Sequence, residues 1–270
     1  MTAAELVAAR YGTAPFTPPE TIPAGLEALL DRRVTRRYRP DAVPEPLLAT
    51  VLAGAQSAPA KSDLQQYAII VLQQPGKIAA IADAIGTMPW IKDAPILLLF
   101  CGEMRRGRRA CDLHGRVHAN DSIDTFLNAS ADAALAMGFC VMAADAAGLG
   151  TCPISYVRNH LDLVAGLAGL PEGVFPVAGL TLGWPAARNE VSPRLPPSVV
   201  VHRETYDDSG LPEALAGYDA LRGRAKPRYP DVHGPAPEGC TWSENAARQL
   251  SVPERANLRA WLASRGINLG

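Results

Sequence analysis

Residues 121–155, DSIDTFLNASADAALAMGFCVMAADAAGLGTCPIS, decide the fold. The part from 121 to 147 reads as the longest helix of the chain, with nine alanines between 129 and 147. Small side chains let another element approach closely. The helix is therefore either a core element or the seam of a helix-to-helix dimer, and the pattern leaves both open. Asn128, Asp132 and Asp145 argue against insertion in a membrane. GLGTCPIS, residues 148–155, then stops the helix, its glycine pair being C-cap material, and runs into an extended segment. Glycine also permits close backbone approach and leaves N–H groups to face a ligand. No strand precedes this stretch, and the spacing of Gly148, Gly150 and Pro153 is not that of a dinucleotide fingerprint. Taken alone, it also reads as a simple helix stop.

Outward from this stretch, three segments have strand character. YAIIVLQQ (67–74) is β-branched and bounded by Pro75-Gly76, while DAPILLLFCGE (93–103) and FPVAGLTLGWP (175–185) are continuous apolar runs. Helices are predicted at 22–31, with Leu26, Leu29 and Leu30 on one face, and at 44–58, 76–86 and 159–169. APAKSDLQQ (58–66) is loop chemistry, and the basic stretch 103–118 reads as an exposed lid or excursion. The tail 187–240, rich in Pro, Arg and Gly, is predicted to be extended and wrapping. A final helix is expected to start at a capping box formed by Ser251 and Glu254, with Pro253 in its first turn and Gly266 after its end. The fold class is α+β. An N-terminal arm covers 1–24 and one domain covers 25–270, with a C-terminal wrapping extension from about 187 to 270.

A chain of 270 residues, 48% hydrophobic and 20% charged, can bury a full-sized core. Its net charge of -1 gives no global attraction to nucleic acid or to an acidic membrane surface. The first residues have no basic-then-apolar signal pattern, and a cytoplasmic location is expected. Cys101, Cys111, Cys140, Cys152 and Cys240 are odd in number, widely spaced and without a CxxC pair, which argues against a disulfide framework and a zinc site. His114 and His118 have i,i+4 spacing, but Gly115 interrupts any helix and no glutamate lies between them, so no metal is expected. There is neither a nucleophile elbow nor a P-loop.

Two further features suit an anion. Arg32, Arg33, Arg36, Arg37 and Arg39 put five guanidinium groups in eight residues, which repel unless they are solvated or face a phosphate or carboxylate. In SPRLP (192–196), Arg194 sits on a backbone stiffened by proline, so its direction is cheaply fixed. A solvated basic stretch and a plain surface arginine are the competing readings.

The order of these motifs is specific. RRVTRRY, SAPAKSDLQQYAIIV, the Ala-rich helix, GLGTCPIS, LGWP and PRLP together resemble the FMN-dependent nitroreductase and flavin reductase family. LGWPAARNEVSPRLPPSVVVHRETY and TWSENAARQL look closest to its NADPH-preferring, oxygen-insensitive major nitroreductase subgroup. The resemblance implies a nitroreductase-like fold, with a central mixed or antiparallel sheet flanked by helices, in an intertwined homodimer that holds FMN with residues of both chains. Carried over by position, Arg32, Arg33, Val34 and Arg36 meet the phosphate and the pyrimidine side of the flavin. Ala60, Ser62 and Gln65 line the ribityl chain or ring edge, and Pro153, Ile154, Ser155 and Tyr156 cover one side of the ring. Arg194 holds the phosphate. Arg222, Arg224 and Arg228 match the positions that meet the 2′-phosphate of NADPH. Asp63 stands where many relatives carry asparagine, Val34 replaces the usual serine, and the chain between Arg222 and Thr241 is longer than the subgroup's.

The implied activity is ping-pong, two-electron reduction of a small-molecule oxidant (a nitroaromatic, a quinone or a flavin) by NADPH or NADH. Arg36 is the catalytic candidate, stabilising charge on the reduced flavin, with no protein nucleophile. Two alternatives stay open: the same fold acting on another redox substrate by flavin fragmentation or reductive dehalogenation, and a non-catalytic flavin-binding sensor or storage protein.

Overall fold

The computed structural model describes residues 1–223 and 234–269. They form two compact units, Met1–Arg33 with Glu190–Glu254 and Val34–Asn189 with Arg255–Gly270.

The larger unit is built on a four-stranded sheet of order β1-β2-β4-β3. Its strands are β1 (Tyr67–Leu72), β2 (Ile96–Glu103), β3 (Gly150–Ile154) and β4 (Val174–Gly183), and every pairing is antiparallel. The extended half of GLGTCPIS is thus a strand, β3, at one end of the sheet order. Every residue of β2 is buried, because both faces of the sheet are covered. Its side chains alternate between two cores, as a two-residue period requires. Leu97, Leu99 and Cys101 join one core with Ile78, Ile81 and Ile85 of α4 (Pro75–Ile85) and Val164 of α7 (Leu161–Ala168). Ile96, Leu98 and Phe100 join the other with Leu48 and Val51 of α3 (Glu45–Gln56) and Ala133, Ala136, Cys140 and Ala144 of α6 (Ile123–Ala146). Each such fully buried Leu, Ile or Phe contributes roughly 1.5–3 kcal/mol.

By length and composition α6 could cross a bilayer. Here its small-residue face is core: a Cβ on Gly54 of α3 would lie 2.7 Å from the Ala143 Cβ, so the two helices approach through small side chains. The opposite face leaves Leu127, Leu135 and Met142 exposed. The basic excursion carries a helix, α5 (Arg105–Leu113), which ends before His114, so His114 and His118 share no helical face.

The smaller unit holds α1 (Ala3–Tyr11), α2 (Ala24–Asp31), the short α8 (Pro197–Val200), α9 (Leu211–Arg222) and the helix Trp242–Leu250. Two expectations need correction here. The tail is not simply extended: Pro212 lies in the first turn of α9, where its missing N–H breaks no helical bond, so proline starts this helix. Ser251 does not open a helix either. It caps the C-terminus of Trp242–Leu250, its N–H donating to the Ala247 carbonyl at 2.9 Å. The N-cap of that helix is Thr241, whose side chain accepts from the Glu244 N–H at 3.4 Å. Arg255 adopts φ 56°, and the last helix, Leu258–Ser264 of the larger unit, begins only after Asn257. Tyr218 of α9 meets Trp242 edge-on with ring centroids 5.0 Å apart, joining the two helices of the tail.

Candidate functional site

Three motifs that lie far apart in sequence are brought together in the larger unit. The Thr35 N–H of the basic motif donates to the Thr151 carbonyl of β3 at 2.8 Å. A Cβ on Gly150 would fall 2.2 Å from the Thr35 Oγ1, so only glycine lets the two segments run side by side. The segment after β4 closes on the same stretch: Arg39 N–H donates to the Trp184 carbonyl at 2.9 Å and Ala186 N–H to the Arg37 carbonyl at 2.9 Å. The Tyr38 hydroxyl donates to the Thr35 carbonyl at 2.9 Å and lies 2.7 Å from Thr181 Oγ1 on β4. Burial raises the Tyr38 pKa, so the phenol keeps its proton. The Val34 carbonyl accepts from Asn189 Nδ2 at 2.6 Å. Arg36 is half-buried, its guanidinium 6.0 Å from the centre of the Trp90 ring. Arg37 and Arg39 are exposed, and Arg39 pairs with Asp41 at 3.1 Å.

The loop before β1 carries Ala60, Ser62 and Gln65. Ser62, Asp63 and Gln65 all have positive φ, at 51°, 56° and 50°. For residues with a Cβ this costs about 1 kcal/mol or more each. Asp132, 1% exposed on α6, holds the loop at both ends, accepting from the Lys61 N–H and the Gln66 N–H at 2.9 Å each. Hydrogen bonds of this kind contribute about 1.5–3 kcal/mol apiece, enough to offset the strain. Arg106 Nη1 donates to the Gln65 carbonyl at 2.6 Å and is itself braced by Glu103 at 3.3 Å. Asp63 accepts from Gln65 Nε2 at 3.1 Å, so its carboxylate orients a neighbour. On the other side of the sheet order, β3 delivers Pro153 exposed and Ile154 buried, and a short 3₁₀ turn, Ser155–Asn159, begins with Ser155 exposed and Tyr156 half-buried.

The smaller unit carries the remaining arginines. Arg32 and Arg33 follow α2; Arg33 pairs with Asp31 at 2.7 Å. Arg194 is exposed, and among the described residues its Nη1 donates to the Ser192 and Pro193 carbonyls of its own segment, at 3.1 and 3.2 Å. Among the described residues, neither Arg32 nor Arg194 makes a salt bridge. Burial lowers the pKa of the nearby Arg10, and Arg194, Arg32 and Arg33 lower it further, with only Asp31 opposing. Positive charge is therefore in excess there, which suits a phosphate. Arg222 is exposed at the end of α9, and Arg224 and Arg228 lie outside the described residues.

Sequence reading missed the groups that hold the site in place. Asp132 had a signal: it is a lone carboxylate on the Ala129, Ala133 and Ala136 face. Arg10, Arg106 and Asn189 act through backbone carbonyls, which no side-chain pattern announces.

An antiparallel sheet that sets a basic segment beside a glycine strand, with a strained polar loop pinned from below, defines an α+β protein suited to a phosphate-bearing cofactor. The chain belongs to the nitroreductase family: the model of that family matches residues 29–184, and the model of its C-terminal domain matches 192–270. It is similar to an FMN reductase [NAD(P)H] of Bacillus subtilis, with 32% identity over 90% of this chain and 98% of that one. Its fold is similar to B. megaterium NfrA2, with a TM-score of 0.83 and 30% identity over 92% of this chain and 100% of the other. The NADPH:FMN oxidoreductase of Vibrio harveyi, solved with NAD+, matches with a TM-score of 0.77 and 27% identity over 90% and 98% of the two chains.

Proposed function

We infer that this protein is an FMN-dependent NAD(P)H oxidoreductase of the nitroreductase type. The observation that carries the reading is the alignment of the basic segment with β3 through Thr35 and Gly150, in a chain matched by the family along most of its length. The residues present suit FMN, because the arginine excess around Arg10 offers charge for a phosphate and the polar loop 60–65 offers donors for a ring edge or sugar chain.

When bound, FMN would supply the two-electron redox chemistry between NAD(P)H and a nitroaromatic, a quinone or a flavin. Arg32, Arg33 and Arg194 would hold the phosphate through their positive charge and N–H donors. Ala60, Ser62 and Gln65 hold the ribityl chain or ring edge, with Val34 contributing through its backbone. Arg36, kept half-buried beside Trp90, would offer positive charge to the flavin ring, an interaction strengthened by partial exclusion of water. Pro153, Ser155 and Tyr156 would cover one side of the ring, with Ile154, its side chain buried in the core, contributing through its backbone. Arg222, with Arg224 and Arg228, meets the 2′-phosphate of NADPH.

The working form in this reading is a homodimer in the cytoplasm. Leu127, Leu135 and Met142 recur at helical spacing on the exposed face of α6, and a second copy of the chain would cover them. Substitution Arg194→Ala tests the phosphate assignment: FMN is expected to be lost on dialysis, and unchanged FMN content contradicts it.

A further inference from the structure

Residues 1–28 precede both family matches, yet they contain Arg10, whose guanidinium bonds to four backbone carbonyls of the smaller unit. Helix α1 is fixed by a capping box, with the Glu5 N–H on the Thr2 hydroxyl at 3.2 Å and the Thr2 N–H on the Glu5 carboxylate at 2.8 Å. Leu6 and Val7 are buried, and Gly12 ends the helix at φ 78°. This leaves Arg10 in the last turn, 7% exposed.

The Arg10 guanidinium is committed to carbonyls. Its Nε donates to Leu30 at 2.8 Å, Nη1 to Ser192 at 3.1 Å, and Nη2 to Leu29 at 3.5 Å and to Arg32. The last carbonyls of a helix have no partner within it, and α2 has no basic residue in its own last turn. Arg10 fills that role from another helix. Its own carbonyl accepts from the Arg194 N–H at 2.7 Å. One residue thus ties the segment bearing Arg32 and Arg33 to the segment bearing Arg194. With its donors turned to backbone, it has no fork left to present to a ligand, so it acts through the other arginines.

We propose that Arg10 is a positioning residue for FMN recognition, locking Arg32, Arg33 and Arg194 into one phosphate-binding group. The proposal rests on the reading that those three arginines hold the phosphate. Because an ordered arginine group acts on phosphate and not on the ring, its signature is discrimination between FMN and riboflavin, which differ by that phosphate alone.

The test titrates flavin-stripped full-length protein with FMN and with riboflavin, following flavin fluorescence, in wild type, Arg10→Met, Arg10→Lys and Arg194→Ala. In Arg10→Met, FMN affinity is expected to fall roughly tenfold or more, the scale of one lost charged hydrogen bond, with riboflavin affinity nearly unchanged. Arg10→Lys keeps the charge but loses the fork, and is expected to fall with it; should the Met variant not fold, the Lys variant decides. Equal loss of FMN and riboflavin affinity would mean that Arg10 only supports the fold, and full FMN affinity in Arg10→Lys would mean that charge alone suffices; either overturns the proposal. Arg194→Ala separates the two levels. If it leaves the FMN-to-riboflavin ratio intact, the phosphate assignment itself is wrong; if it collapses the ratio while Arg10→Met does not, only the role of Arg10 is wrong.

Discussion

The backbone N–H of Thr35 meets the Thr151 carbonyl at 2.8 Å, and this bond aligns the basic segment with β3. It depends on the absence of a side chain at the next position, since a Cβ on Gly150 would sit 2.2 Å from Thr35 Oγ1 and 2.6 Å from Thr35 Cβ. Both of those atoms lie at or next to the backbone, so neither can swing away cheaply. Gly150→Ala is expected to lower stability by about 1–3 kcal/mol, the usual cost of overpacking, and to weaken FMN binding. Adding Thr35→Gly should recover part of the FMN affinity in the same titration. Wild-type affinity in the single variant would show that the close approach is unimportant.

Asp132 is the brace beneath the strained loop. Asp132→Asn puts an amide N–H₂ where one of two backbone donors now finds an oxygen, leaving the Lys61 or Gln66 N–H unpaired. An unpaired buried donor costs about 1–3 kcal/mol, and the loop with Ser62 and Gln65 should relax from its left-handed conformation. Urea unfolding and the FMN dissociation constant should both worsen. A variant equal to wild type in both would remove Asp132 from this account.

Burial pushes the Cys101 and Cys140 thiols up to about 12, from an ordinary value of 9.0. The folded state keeps these protons where the unfolded chain has lost them. The stability they contribute is therefore full below about pH 9 and drains away as pH rises toward 12. At pH 10.5 each thiol is expected to cost up to about 2 kcal/mol of stability relative to neutral pH. Denaturant titrations at both pH values check this, with a shallower loss expected for Cys140→Ala. The same burial predicts that a thiol reagent labels half-buried Cys111 first in the native protein.

Arg222 is exposed at the end of α9, free of any salt bridge among the described residues. If it meets the 2′-phosphate, Arg222→Ala raises the KM for NADPH severalfold and leaves that for NADH unchanged. Equal changes for the two nucleotides would assign Arg222 another role.

How far the sequence reaches depends on the kind of interaction. The buried strand Ile96–Glu103 is legible as a continuous apolar run and the helix Ile123–Ala146 as a long alanine-rich stretch, because composition at that length reports burial. The resemblance implied a mixed or antiparallel sheet, and the strand order with its all-antiparallel pairing came from the structure alone. The capping box at Ser251 and Glu254 failed because the motif is short: Ser251 is as good a helix end as a helix start, and the chain turns again at Arg255 before the last helix begins. Helix α9 was hidden by Pro212, a residue that punctuates a tail and a first helical turn equally well. Among the site residues, the clustered arginines 32–39, Arg194 between its prolines and the glycines of 148–150 were visible because such local patterns are rare. Arg10 and Asp132 were not, because what they bind is backbone from remote segments, and only the fold brings that backbone within reach.

Electron transfer from a nicotinamide cofactor through FMN to a small acceptor is visible in the flavin bands themselves. The most direct measurement follows the visible spectrum of the purified, FMN-loaded protein under anaerobic conditions, first on adding stoichiometric NADPH and then on adding stoichiometric quinone or nitroaromatic. The account predicts that the flavin bands bleach with the first addition and return with the second. Flavin bands that fail to respond to NADPH or NADH, or a protein that retains no flavin at all, would contradict it.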